Sequence, residues 1–106
     1  MKPEFFPYSL GDAAVRERVV DRSDRWDLVI AHVVIPPGDS VPRHPTDAEV
    51  FVAVVRGTLS LPTAEGMSRH GRGAIVHLPT GFAMEPRNEG AEALEFFVVK
   101  TPHPAR

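Results

Sequence analysis

Five histidines, a pair of acids just after one of them, and a methionine behind a turn are the side chains of this sequence on which chemistry could rest. His44 begins the stretch H-P-T-D-A-E, with Asp47 and Glu49 close behind it. Imidazole changes charge near neutral pH and ligates divalent metals. A carboxyl at Asp47 or Glu49, if buried, would be raised toward neutrality and suited to general acid–base work. The other site-like stretch is H-L-P-T-G-F-A-M-E-P-R-N, residues 77–88. There His77 precedes a Pro79–Gly81 turn, Phe82 stands where it can wall a pocket mouth, and Met84 holds the place of a polar ligand. Thioether sulfur is a poor ligand for iron, manganese, nickel or zinc and an adaptable filler of apolar space. A catalytic metal needs about three nitrogen or oxygen ligands. If one is bound here, His44 would have to act with Glu49, His32 or His77. His32 shares a strand face with Trp26, Leu28, Ile30 and Val34, which suits a core or interface residue better than a ligand. His70, in a polar loop, and His103, in the tail, are expected in solvent.

The elements that carry these residues read as strands. Residues 16–20, R-E-R-V-V, form a short helix or an edge strand, and the alternation of V-R-E-R-V favours the strand. Residues 26–35 are rich in β-branched side chains and stop at Pro36–Pro37–Gly38. They are apolar on both faces, as a strand between a core and a second layer should be. Residues 50–55 form another such run, closed by Arg56–Gly57, with 58–61 as the partner strand of a hairpin-like turn. Residues 63–72 make a polar loop around a short strand at 67–70. Residues 74–78, ended by Pro79, and 94–100, ended before Pro102, complete the set. Eleven prolines and eight glycines punctuate these runs and do not cluster into a linker. No stretch shows sustained helical periodicity, and strands at short intervals with turns between them argue for an all-β sandwich or barrel.

The same residues resemble the cupins. That family's first motif reads roughly G-x5-H-x-H-x3-4-E-x6-G, and P-P-G-D-S-V-P-R-H places Gly38 and His44 at its spacing, with Gly57 closing the run. The second reads G-x5-P-x-G-x2-H-x3-N; Gly73, Pro79, Gly81 and Asn88 fall on it without insertion, and Met84 stands at the histidine. The resemblance implies a cupin-type double-stranded β-helix, the RmlC-like jelly-roll barrel of small bacterial cupins. In the family, two histidines and a glutamate of the first motif and the histidine of the second hold a divalent metal. Carried over position by position, these fall on His44, Thr46, a place near Val50, and Met84, so only His44 keeps a ligand. Glu49 lies one residue early, on the opposite strand face unless a β-bulge turns it inward.

At 106 residues the chain is one domain, with a core at about 26–99, an N-terminal arm at 1–25 and a short tail at 100–106. Its net charge of −2, with both signs interspersed, offers no basic face for nucleic acid. Cysteine is absent, no stretch could span a bilayer, and the start has no apolar run of signal-peptide length, so a cytoplasmic protein is expected. The expectation is a degenerate metal site, no cofactor, and a small-molecule pocket built from His44, Glu49, Phe51, His77, Phe82 and Met84. No catalytic residue is assigned. The alternative is an enzyme: a metal-dependent oxygenase or isomerase with atypical His/Glu ligands, or a metal-free isomerase or epimerase. The resemblance also implies a homodimer, since short strands with apolar outer faces leave surface that a second copy can cover.

Overall fold

The structure, a computed structural model, describes residues 1–105. Every regular element among them is a strand: β1 Val15–Arg22, β2 Leu28–Ile35, β3 His44–Pro45, β4 Glu49–Arg56, β5 Thr58–Thr63, β6 Gly66–Gly71, β7 Ile75–Leu78, β8 Ala83–Met84 and β9 Leu94–Thr101. Antiparallel pairing gives a five-stranded sheet in the order β1-β2-β9-β4-β7. Facing it are the two-stranded ladders β3–β8 and β5–β6, joined through Arg87, which bridges Ser40 on one side and Ser60 on the other. The non-consecutive order is that of the expected jelly-roll barrel.

The core lies between the two layers. Alternation turns Val50, Val52 and Val54 of β4 inward, against Phe96 and Val98 of β9, Leu59 and Leu61 of β5, and Met84 of β8. The opposite face of β4 carries Glu49, Phe51, Ala53 and Val55 outward. Burying a side chain the size of valine or phenylalanine stabilises by about 1.5–3 kcal/mol, and this is what selects the register.

The expected partnership of 50–55 with 58–61 does not form. β4 pairs with β7 and β9, while β5 crosses to the other layer and pairs with β6. Gly57 is the corner. Its φ is +75°, and a Cβ there would stand 2.6 Å from the Ala93 carbonyl oxygen. Glycine permits that close approach, and the chain passes from one sheet to the other across this single residue. The main sheet also reaches back beyond Trp26 to Val15, because β1 pairs with β2 along its length. Residues 1–14 have no regular structure and cross the outer face of β2, where Tyr8 packs on His32 and Phe97 at centroid distances of 4.8 and 5.0 Å. That is the second layer which makes β2 apolar on both faces. In the tail, His103 is buried rather than solvated, 2.5 Å from Asp21 Oδ1; Arg106 lies outside the described residues.

Candidate functional site

One end of the barrel opens into a cavity of about 470 Å³, within the range of small-molecule pockets. Its floor is apolar: Val33, Val41, Val50, Met84, Phe96 and Val98. Its rim is not, for His44, Thr46, Arg43, Arg16, Arg18 and Lys100 stand there. Across the floor of the mouth, β3 and β8 pair so that His44 faces Met84.

All four positions that the family pattern assigns to metal ligands line this one cavity, as His44, Thr46, Val50 and Met84. Their chemistry does not suit a divalent metal. The Nδ1 of His44 lies 3.0 Å from the Pro42 carbonyl, so Nδ1–H donates and Nε2 remains for a ligand. Val50 offers no donor atom and Met84 only a thioether. The Thr46 hydroxyl is already engaged, donating to the Pro79 carbonyl at 2.6 Å and accepting from the Phe82 N–H at 3.0 Å. With Thr46 N–H to Phe82 carbonyl and Gly81 N–H to Thr46 carbonyl, both 2.9 Å, it ties β3 to the turn ahead of β8. That turn closes from Phe82 N–H to the Pro79 carbonyl at 3.1 Å and puts Gly81 at φ +87°, the third position of a type II turn. The residue at the family's second histidine thus links the two segments by hydrogen bonds where a metal would link them by coordination.

Four of the expected pocket residues lie elsewhere, three of them, Glu49, Phe51 and His77, on the outer face of the sheet. The β4 register against β9 runs unbroken from Glu49 to Val54, so no bulge turns Glu49 inward. Val50 occupies the inner position instead. Glu49 stands on the outer face, 2.8 Å from His77 Nε2 and 2.7 Å from both the hydroxyl and the N–H of Thr80. The Thr80 donors first, and then His77, hold the Glu49 carboxyl well below the usual range, down to about 2. Phe51 stacks on His77 at 5.0 Å, on that same outer face. Period-two alternation explains all three positions, because Phe51 and His77 are cross-strand partners and share a face with Glu49. Phe82 packs against the core rather than lining the cavity.

His32 is also on an outer face, fully buried under the N-terminal arm. Its Nδ1 meets Glu17 at 2.8 Å and its Nε2 meets Glu95 at 2.6 Å, so both ring nitrogens are engaged by carboxylates of neighbouring strands. The replacement cluster of His44 with Glu49, His32 or His77 is therefore not assembled: the wall of the sheet separates His44 from the other three. Among the described residues no three histidine, cysteine, aspartate or glutamate side chains converge as a ligand set. Asn88, matched in the second motif, is structural. Its buried amide donates to the Ile35 and Glu92 carbonyls, both at 2.8 Å, and fixes the loop ahead of β9.

Sequence reasoning passed over the rim cations. The signal was present in V-R-E-R-V, where Arg16 and Arg18 alternate with Glu17, and in L-E-F-F-V-V-K, where Lys100 continues the inner row of Leu94, Phe96 and Val98.

No family model matches the chain. It is 37% identical over 94 residues to an uncharacterized protein of Methanocaldococcus jannaschii, an alignment covering 86% of this chain and 80% of that protein. The crystal structure of that protein, described as an RmlC-like cupin family protein with a double-stranded β-helix fold, superposes with a TM-score of 0.90 at 28% identity, covering 99% of this chain and 95% of the other. A cupin 2 conserved barrel domain protein of Salinispora arenicola matches at TM-score 0.77 and 18% identity over 93% of this chain and 88% of its own. A polyketide cyclase of Streptomyces resistomycificus matches at TM-score 0.69 and 22% identity over 80% of this chain and 62% of its own. The last two show the fold alone.

Proposed function

This chain belongs to the RmlC-like cupin family, and from that premise we propose that it binds a small molecule in the barrel without the family's metal. One observation carries the reading: the four ligand positions of the family all line one cavity, and three of them hold threonine, valine and methionine. An apolar floor with a few polar groups at its mouth is the usual make-up of a small-molecule pocket. His44, with Nε2 directed by the bond that Nδ1 makes to Pro42, supplies a polar handle there. Among the described residues no pair of titratable groups inside the cavity is held together for proton transfer, which favours binding over catalysis.

The metal content of the protein, purified without chelator, tests this directly. The expected result is substoichiometric metal and no thermal shift with Fe(II), Mn(II), Ni(II), Zn(II) or Cu(I). A true ligand present at a hundred times its Kd should stabilise by about 2.7 kcal/mol. Stoichiometric metal that disappears in His44→Ala overturns the proposal and revives the enzyme.

Two copies pair, in this reading, through the outer face of β4 and β7, where Phe51, Val55 and Ile75 are exposed side by side. The net charge of −2 argues against a nucleic-acid partner, and a cytoplasmic setting accords with the absence of cysteine. No helix among the described residues is long and apolar enough to cross a membrane.

A further inference from the structure

We infer that the mouth of the barrel takes a small organic anion: a carboxylate carried on an apolar body. This rests on the reading that the barrel binds a small molecule, and it adds the chemical class of that molecule.

The register carries the argument. Arg16 stands opposite Val33 and Arg18 opposite Ala31, so both arginines occupy the barrel-facing side of β1. Lys100 lies between Val29 and Val50 in its row, and both of those are buried. Inner-face positions of a small barrel are normally apolar, and cations there give up packing unless something at the mouth uses their charge. Arg43 adds a fourth cation from the segment leading into β3. The chain as a whole is net negative at −2, yet four of its twelve basic residues meet at this one opening.

Acids offset part of this charge, mostly from outside the cavity. Among the described residues Glu17 is the one carboxylate of the lining, and its oxygens are bound to Ser9 and His32 on the other side of the sheet. Arg18 pairs with Asp21 at 3.0 Å, Lys100 with Asp47 at 3.1 Å, and Arg43 with a Glu85 that is shared with Arg87. These acids lie outside the cavity lining, and the Arg18–Asp21 pair, exposed on both sides, exchanges at little cost. Arg16 has no ion-pair partner among the described residues. Guanidinium groups present paired donors that match a carboxylate, and the apolar floor beneath them accepts an alkyl or aryl body.

Calorimetry on the full chain with matched probes tests the inference. The set is 4-phenylbutyrate, 4-phenyl-1-butanol and 4-phenylbutylamine, the same three head groups on a hexyl chain, and acetate and inorganic phosphate as anions without a body. The expected order is carboxylate at least tenfold tighter than alcohol, alcohol tighter than amine, and no measurable binding of acetate or phosphate. Arg16→Gln and Lys100→Gln should each weaken the carboxylate several-fold and leave the alcohol unchanged, with unliganded thermal unfolding confirming that both fold. Equal binding of alcohol and carboxylate overturns the anion inference and leaves the barrel as a binding site. Acetate or phosphate binding as tightly as the long carboxylates overturns the apolar body. Carboxylate affinity indifferent to both substitutions overturns the assignment to this mouth. If no probe on either body binds, the barrel-binding reading itself fails, and this inference fails with it.

Discussion

Thr46 and Glu49 are three residues apart, and the wall of the barrel separates their roles. The Thr46 hydroxyl, buried and bonded on both sides, holds β3 to the turn ahead of β8. Thr46→Val preserves the shape, removes both bonds and leaves the Pro79 carbonyl without that donor. It should cost about 1–3 kcal/mol of unfolding free energy, measured as a lower denaturant midpoint at unchanged slope. Glu49 acts through charge. Its carboxyl, near 4.5 in the unfolded chain, is held down to about 2 by Thr80 and then His77. A depressed carboxyl contributes stability that is present above about pH 4.5 and is lost as the pH falls through about 2. Thermal midpoints followed across that window should fall more steeply for the natural protein than for Glu49→Gln. Parallel curves would remove Glu49 from the account of acid sensitivity, leaving it to the other depressed carboxyls at Glu17, Asp21 and Glu85.

Among the elements, Gly57 decides the most. It separates β4 in one sheet from β5 in the other, with positive φ and a backbone approach that leaves no space for a side chain. Gly57→Ala meets both obstacles at once and should destabilise by about 1–3 kcal/mol from backbone strain alone, before the clash with Ala93 is counted. Gly81 is also at positive φ, but a methyl group there would meet nothing within 4 Å, so Gly81→Ala should cost less than Gly57→Ala in the same unfolding experiment. If the two glycines prove equal, close approach contributes nothing measurable at the corner. The short elements matter for a different reason. β3 and β8 have only two residues each, yet their pairing sets His44 and Met84 side by side on one wall of the cavity.

For the molecule as a whole, the two faces of the main sheet meet different fates. The inner face closes the barrel. The outer face is covered over β2 and β9 by the N-terminal arm, and over β4 and β7 it is bare, with Ile75 73% exposed. Burial of such a patch against a second copy would remove apolar surface from water in both copies at once. Sedimentation at micromolar concentration should therefore find a dimer, and Ile75→Lys should shift it to monomer without lowering the unfolding temperature of the isolated chain. A natural protein that sediments as a monomer rules out that pairing.

The longer strands and the motif turns were legible in the sequence, because alternation and glycine–proline punctuation are local and each has a local physical cause, whereas the two-residue strands β3 and β8 carry no such signal. Gly38, Gly57, Gly73, Pro79 and Gly81 announce the barrel, and with His44 and Met84 they announce what has become of its ligand positions. The sheet to which each strand belongs was not legible. Residues 58–61 alternate as well in a hairpin as in a crossing strand, and only the pairing of β5 with β6, while β4 pairs with β7 and β9, decides between them. Nor could the sequence assign Glu49 to a face, since a single bulge would have reversed it; the unbroken pairing of β4 with β9 did that. The site depended on tertiary structure for the same reason. A cavity is made by residues brought together from β1, β2, β3, β4, β8 and β9, and the charge at its mouth exists only once β1, β9 and the segment ahead of β3 have closed around it.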